Sequence, residues 1–83
     1  MDSIQASVKA YIQQTFLGTN EAELTSTTPL IEGGILDSLA TVQLVDWLEE
    51  TYGIEVQAHE VSADNLDTVE LIAELVKRKG GKG

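Results

Sequence analysis

The sequence predicts an all-α domain with three main helices, a fourth short helix and a long loop between the first two. Apolar residues recur at helical spacing in three separate stretches. The stretch between the first two of these holds the only proline, Pro29, and the pair Gly33-Gly34, which indicates a loop. The segment Ile54-Glu55-Val56 alternates like a strand but is too short to make a sheet. The 83 residues are expected to form a single domain, 1–83.

The first helix is expected to be capped by Asp2 or Ser3 and to stop at Gly18. One helical face is apolar, formed by Ile4, Val8, Tyr11, Ile12 and Phe16. The loop that follows, residues 19–37, is unusually long for a compact domain unless it is anchored or functional. Five aliphatic side chains could anchor it to the core: Leu24, Leu30, Ile31, Ile35 and Leu36.

The second helix is predicted over residues 38 to about 51, with Asp37 as its cap and Gly53 as its end. One side carries a core stripe of Thr41, Leu44, Val45, Leu48 and Tyr52. The opposite side has aliphatic residues near its start and acidic ones farther on: Leu39, Val42, Gln43, Asp46, Glu49 and Glu50. Isolated exposed aliphatic residues are normal on surfaces, but this pattern also fits a docking face with an apolar centre and a charged rim. Trp47 lies between the two sides, and we expect it to pack against the long loop.

A short helix is expected over residues 61–65, capped by Glu60 or Ser62. The last helix is expected to start near Asp67, because Glu70 three residues later resembles a capping box. Its apolar stripe is Leu66, Val69, Ile72, Ala73 and Val76. The run Lys77-Arg78-Lys79 suits the negative end of its dipole. Residues 80–83 are expected to form a flexible tail.

The chain is strongly acidic, with 14 acidic residues against 5 basic ones and a net charge of -9. Such a surface repels nucleic-acid phosphates and anionic lipids, so neither nucleic acid nor membrane is expected as a partner. It would favour basic patches on partner proteins, although solubility alone is an alternative reason for the acidity. The absence of cysteine excludes disulfides, thiolate metal sites and cysteine nucleophiles. No apolar run is long enough to span a bilayer and no signal peptide is evident, so a cytoplasmic location is expected.

Ser38 stands where the glycine-containing loop meets the second helix. A phosphate on this residue would be favoured by the positive end of the helix dipole, but serines at helix starts are also ordinary caps. A serine nucleophile needs a base within reach, and the only histidine, His59, lies in a polar connection. No G-x-S-x-G motif, EF-hand pattern or histidine pair is present. The residues therefore predict neither catalysis nor a metal site.

The segment GGILDSLATVQLVDWLEETYGIEV resembles the core of acyl carrier proteins and of the related peptidyl carrier domains. The shared elements begin with Asp37-Ser38-Leu39 and continue through Thr41-Val42, Leu44-Val45, Leu48-Glu49-Glu50 and Tyr52-Gly53-Ile54. Thr28-Pro29-Leu30 before this segment and Leu66-Asp67-Thr68-Val69 after it extend the resemblance over nearly the whole chain.

The resemblance implies a four-helix bundle in which Ser38 carries 4′-phosphopantetheine through a phosphodiester. A phosphopantetheinyl transferase, aided by Asp37 and Leu39, would install the group from coenzyme A. The resemblance further implies a monomeric, non-enzymatic carrier that holds acyl or aminoacyl groups as thioesters, with a loading ligase and downstream biosynthetic enzymes as partners. The missing cysteine agrees with this expectation, because the cofactor would bring the only thiol.

The resemblance also implies that this chain has a docking surface for basic patches on its partners. The residues expected to form this surface are Leu39, Val42, Gln43, Asp46, Glu49, Glu50 and Val61. Fatty-acid carriers typically have acids where this chain has Ala40 and Gln43, and often an apolar residue in place of Asp46. We therefore expect a specialised pathway of polyketide, nonribosomal or modified fatty-acid type. The cargo is expected to fold back into a cavity lined by positions such as Val45 and Leu48.

Other functions remain open from the residues alone. An aminoacyl or peptidyl carrier of a nonribosomal pathway is the first alternative. A helical interaction module is the second, with Ser38 unmodified or phosphorylated as a switch. A minimal hydrolase is the third, and the absent base argues against it.

Overall fold

The computed structural model describes residues 3–17 and 24–81. Within these residues the chain forms helices and no strand, which confirms the predicted all-α class. In chain order, the α-helices are α1 (Ser3–Ile12), α2 (Ser38–Tyr52), α3 (Ala63–Leu66) and α4 (Val69–Arg78). A π-helical turn, Gln13–Leu17, follows α1, and a 3₁₀ turn that was not predicted, Ala58–Glu60, precedes α3.

One hydrophobic core joins the helices and the described part of the loop. Helix α4 packs against both α1 and α3. Helix α2 buries four of its five predicted core residues and half-buries the fifth, Tyr52. The core is formed by Ile4, Val8, Ile12, Leu24, Leu30, Leu36, Ala40, Leu44, Val45, Leu48, Ile54, Leu66, Val69, Ile72, Ala73, Leu75 and Val76. Hydrophobic burial of this kind supplies most of the free energy that favours folding of a domain of this size.

The first helix changes its winding after Ile12, where the π-helical turn begins. Tyr11 and Phe16, both predicted on the apolar face, are half-buried against the core, and their rings meet edge to face with centroids 5.7 Å apart. The candidate cap Asp2 and the predicted stop at Gly18 lie outside the described residues.

Helix α2 has a well-defined cap at each end. The Asp37 carboxylate accepts a hydrogen bond from the Ala40 N–H at 2.8 Å, and the Thr41 hydroxyl donates to the Asp37 carbonyl at 2.8 Å. At the other end Gly53 has φ of 67°, a left-handed conformation that favours glycine, and its N–H donates to the Glu49 carbonyl. Both predicted caps are confirmed, and the helix ends one residue later than expected, at Tyr52.

The predicted start of the last helix was wrong by one residue. Thr68 is the cap of α4, and its hydroxyl accepts a hydrogen bond from the Leu71 N–H at 3.0 Å. The Asp67 side chain does not serve this helix end because it binds the long loop instead. Of the two candidate caps for the short helix α3, Ser62 occupies the cap position, although its side chain makes no capping hydrogen bond.

The first two residues of the predicted tail, Gly80 and Gly81, continue the hydrogen bonding of α4. Gly80, with φ of 81°, donates its N–H to the Lys77 carbonyl, and Gly81 donates to the Val76 carbonyl. These two bonds form the Schellman arrangement that satisfies carbonyls at a helix end. Residues 80 and 81 therefore belong to the end of α4, and residues 82–83 lie outside the described part of the chain.

Trp47 packs against α1, a contact that the sequence did not predict. Its ring stacks on that of Tyr11 with centroids 4.3 Å apart and an interplanar angle of 10°. Tyr52 meets the same indole edge to face at 5.8 Å. Because aromatic side chains bury large areas, this stack ties α2 to α1.

Candidate functional site

Ser38 is the first residue of α2, and its side chain is exposed. Asp37 provides the side-chain cap, so capping does not account for a serine at this position. Among the hydrogen bonds of the described residues, none engages the Ser38 hydroxyl. An exposed, unengaged hydroxyl at the positive end of a helix is accessible to a modifying enzyme and suits a bound phosphate group.

Asp67 fixes the loop that leads to Ser38. Its carboxylate oxygen accepts hydrogen bonds from the N–H groups of Ile31 (2.9 Å) and Glu32 (3.0 Å). Its carbonyl accepts another from the N–H of Leu30. All five predicted loop anchors contact the core: Leu24, Leu30 and Leu36 are buried, and Ile31 and Ile35 are partly buried. The loop is thus held against the start of α4, and the start of α2 is placed with it.

Sequence reasoning missed this role for Asp67 because it assigned the residue to a helix cap. The neighbouring Thr68 is an equally good capping residue, which leaves the carboxylate free for a partner. The partners of this carboxylate are far away along the chain: Ile31 is 36 positions before Asp67, and Glu32 is 35 positions before it. No local sequence signal indicates a contact over such a separation.

The loop contact should make stability depend on pH through Asp67. The N–H of Glu32, together with that of Ile31, holds the pKa of Asp67 below its ordinary value of 3.8, against the opposing effect of burial. A carboxyl group whose pKa is lower in the folded state stabilises the fold at pH values above its unfolded-state pKa. This contribution is lost as the pH falls through the folded-state value.

We expect Asp67→Asn to lower the free energy of unfolding by about 1 kcal/mol at pH 7, because the amide oxygen can still accept both bonds but carries no charge. Urea unfolding of both proteins at pH 7 and at about pH 2 checks this. The difference in the free energy of unfolding between the wild type and Asp67→Asn should disappear at the lower pH. A gap of equal size at both pH values would contradict the role of the ionised carboxylate.

A groove opens beside Ser38 between the loop, the first turns of α2 and the segment before α3. Its volume is about 580 Å³. It is lined by Ile31, Leu36, Asp37, Ser38, Thr41, Val42, Val61, Ser62 and Ala63. The groove is not the cavity that was expected beside Val45 and Leu48. Neither residue lines the groove, and both side chains are buried in the core.

The residues predicted for docking run along α2 from its first turn to its last, and Val61 joins them from the segment before α3. Leu39, Val42 and Val61 are exposed hydrophobic side chains, at 67%, 54% and 37% exposure. Val42 and Val61 line the same groove, so the outer side of α2 and the segment before α3 share one apolar surface. The polar members Gln43, Asp46 and Glu50 are exposed on α2.

Glu49 differs from the other predicted docking residues. It is half-buried, and its carboxylate accepts a hydrogen bond from the Val56 N–H at 2.9 Å. It therefore holds the connection after α2 in place. Ala40 is likewise buried in the core, so the surface of α2 does not include it.

Other kinds of site find little support in the described residues. His59 is an exposed member of the 3₁₀ turn Ala58–Glu60. Over residues 3–17 and 24–81, no group of three or more histidine, aspartate or glutamate side chains is arranged to hold a metal ion. In the same part of the chain, no helix has the length and apolarity required to cross a bilayer.

The fold and the site define a class of protein: a small helical domain that offers one exposed serine at a helix start, beside a groove, to a modifying enzyme. The model of the phosphopantetheine attachment site family matches residues 6–76, and the chain belongs to that family. Members are non-catalytic carriers, so the protein is not an enzyme, and the family's prosthetic group is 4′-phosphopantetheine. Both findings agree with what the sequence resemblance implied.

Individual proteins show the same relationship. The chain is 35% identical over 78 residues to the acyl carrier protein of Buchnera aphidicola subsp. Baizongia pistaciae, covering 94% of this chain and 96% of that one. It is 41% identical over 49 residues to a D-alanyl carrier protein of Lactobacillus delbrueckii subsp. bulgaricus, and the match covers 59% of this chain and 61% of that protein. A chain in a crystal structure of an FAD-dependent dehydrogenase superposes with a TM-score of 0.76 at 32% identity, covering 83% of this chain and 97% of that one.

The residues at the start of α2 fit the prosthetic group. Attachment through a phosphodiester requires an accessible serine hydroxyl; Ser38 is exposed, and its hydroxyl makes no hydrogen bond to any residue that the structure describes. The arm also requires space next to the serine, which the groove supplies. When attached, the group supplies a terminal thiol, which the chain itself lacks because it has no cysteine.

Proposed function

We propose that Ser38 bears the 4′-phosphopantetheine arm and that the protein presents acyl intermediates, as thioesters, to partner biosynthetic enzymes. The observation that carries this proposal is the exposed and unengaged Ser38 hydroxyl at the positive end of α2. Asp37 caps the helix and thereby keeps its first turn formed beneath the arm. The first N–H groups of α2 stabilise the negative phosphodiester, and Asp37 and Leu39 flank Ser38 where a transferase would contact the chain.

Intact-mass measurement after incubation with coenzyme A and a broad-specificity phosphopantetheinyl transferase tests this function. The wild type should gain the mass of one phosphopantetheine group, and Ser38→Ala should gain none. Ser62→Ala is the matched control, because Ser62 lines the same groove and its replacement should leave the gain intact. If several transferases produce no gain, the protein is better explained as a helical interaction module.

We propose that the pathway is a specialised one of polyketide, nonribosomal or modified fatty-acid type, located in the cytoplasm. Gln43 and Asp46 carry this proposal, because both are exposed on α2 and both depart from the pattern of fatty-acid carriers. Ala40 is buried and no longer supports it. The test is to offer the loaded protein to housekeeping fatty-acid synthase enzymes. Turnover as fast as that of their own carrier would contradict a specialised role.

An aminoacyl cargo is the second candidate, supported by the similarity to a D-alanyl carrier protein. Comparing an acyl-activating ligase with an amino-acid-activating ligase as loading enzyme distinguishes the two. The similarity to a chain in an FAD-dependent dehydrogenase structure adds a flavin dehydrogenase to the downstream enzymes worth testing with the loaded carrier.

We propose that partner enzymes dock on the apolar surface of Leu39, Val42 and Val61, and that basic residues of the partner face Gln43, Asp46 and Glu50. The double variant Asp46→Lys/Glu50→Lys should lower kcat/KM of the loading ligase by about tenfold at low salt, because it reverses two exposed charges that steer association. Thermal stability should change little, since both residues are exposed.

The matched control for this prediction is Glu70→Lys/Glu74→Lys, which makes the same change of net charge on exposed positions of α4. Steady-state kinetics of all three proteins at low and high salt provide the measurement. An equal loss in both double variants would mean that net charge alone, and not the α2 surface, governs docking.

A further inference from the structure

The loop before α2 is attached to the start of α4 at three points. The Asp67 carboxylate accepts hydrogen bonds from the N–H groups of Ile31 and Glu32, at 2.9 and 3.0 Å. The carbonyl of the same aspartate accepts a further bond from the loop backbone. Earlier in the loop, the Ser26 carbonyl accepts a bond from the Glu70 N–H at 3.0 Å. These contacts hold the loop against a helix that is itself packed in the core.

The Asp67 side chain is a buried charged group whose hydrogen bonds go to the loop. Burying a carboxylate costs free energy unless hydrogen bonds replace those lost to water, and the two loop N–H groups supply such bonds. The cap of α4 comes from Thr68 and not from this carboxylate. What the carboxylate contributes to the structure is therefore the position of the loop.

The restraint reaches Ser38 through the backbone of the loop. The Leu36 N–H donates to the Leu30 carbonyl at 2.8 Å, and this bond closes residues 30–36 into a ring, the loop ring. Leu36 is buried, and the next residue, Asp37, caps α2. The backbone before Ser38 is thus held by the loop ring, and the backbone after it by the helix.

A close contact inside the loop ring depends on a glycine. A Cβ atom at Gly33 would lie nearer to the Pro29 carbonyl oxygen than van der Waals contact allows, and the three heavy atoms nearest to that point all belong to Pro29. A larger residue at position 33 would therefore strain the loop ring itself. This position offers a way to disturb the loop without changing Asp67.

We infer, on the basis of the proposed function, that Asp67 is a positioning residue for the modification of Ser38. By holding the loop, it fixes the direction in which the Ser38 hydroxyl is presented to the transferase. The proposed docking residues Leu39 and Val42 belong to α2 itself and do not depend on the loop. Loss of the loop contacts should therefore lower kcat of arm transfer more than it changes KM, since misplacing a reacting group by about 1 Å can cost about a hundredfold in rate.

Steady-state kinetics of a broad-specificity phosphopantetheinyl transferase, with saturating coenzyme A and a varied concentration of this chain, test the inference. Asp67→Leu removes the acceptor and should lower kcat at least about fivefold while changing KM less than about twofold. Asp67→Asn keeps an oxygen that can accept both bonds, so its kcat should stay within about twofold of the wild type despite its lower stability. Gly33→Ala should reproduce the kcat loss of Asp67→Leu.

Val8→Ala is the control for stability, because it shortens a fully buried side chain of α1. It should lower the melting temperature and leave kcat unchanged. All variants are assayed at a temperature at which circular dichroism shows them folded. If Asp67→Leu does not fold at any such temperature, Gly33→Ala decides the question in its place.

Three results would each overturn the inference: a wild-type kcat in the variants with a disturbed loop, an equal kcat loss in Asp67→Asn, or an equal kcat loss in Val8→Ala. If the wild type itself accepts no arm, the proposed function fails. That outcome differs from an arm that is transferred equally fast to the wild type and to Asp67→Leu, which contradicts the positioning role alone.

Discussion

Replacing Ser38 by alanine should abolish covalent loading completely and leave the fold unchanged. The Ser38 hydroxyl is exposed and makes no hydrogen bond within the described residues, so its removal should alter the free energy of unfolding by less than about 0.5 kcal/mol. Without the hydroxyl there is no bond to the phosphate of the arm. Because the chain has no cysteine, no other thiol can hold a thioester. The measurement is the amount of labelled acyl group retained after incubation with a transferase and labelled acyl-coenzyme A.

The variant must be shown to be folded before its loss of loading is interpreted. Its thermal unfolding curve should superimpose on that of the wild type, since Asp37 and not Ser38 caps α2. Retention of thioester-bound label by a folded Ser38→Ala protein would place the arm on another residue.

Shortening Leu48, one of two fully buried leucines of α2, should produce one of the largest losses of stability that a single side chain in this helix can cause. Leu48 is fully buried on the core side of the helix. Leu→Ala changes at such sites cost about 2–5 kcal/mol, from lost transfer free energy and the cavity left behind. A domain of this length is stabilised by only about 4–12 kcal/mol in total, so Leu48→Ala should remove a large part of it.

Leu39→Ala provides a matched control for this prediction. It makes the same substitution on the same helix, but Leu39 is 67% exposed and its shortening should cost less than about 0.5 kcal/mol. Urea titration followed by Trp47 fluorescence measures both, because unfolding separates the indole from the rings of Tyr11 and Tyr52. Similar midpoints for the two variants would contradict the assignment of Leu48 to the core.

The features of α2 could be predicted from sequence because their causes are local. Asp37 bonds to a group three residues away, and Gly53 to one four residues away. The core stripe follows from helical periodicity alone. For the same reason the sequence predicts both the position of Ser38 at a helix start and the aliphatic residues of the outer side.

The features that the sequence did not reveal depend on contacts between distant segments. The stacking of Trp47 on Tyr11, a residue of α1, was not predicted. Asp67 was expected to cap its own helix and instead binds Ile31 and Glu32. The groove beside Ser38 is formed by three segments that only the tertiary fold brings together. Periodicity and capping patterns describe one segment at a time and therefore do not predict how such segments meet.

Tandem mass spectrometry of the protein isolated from its own cells tests the central claim most directly. After proteolysis, the peptide that contains Asp37, Ser38 and Leu39 should carry the mass of phosphopantetheine, and fragmentation should place it on Ser38. An unmodified Ser38 peptide together with the same mass on another residue, or simple phosphorylation of Ser38, would contradict the account.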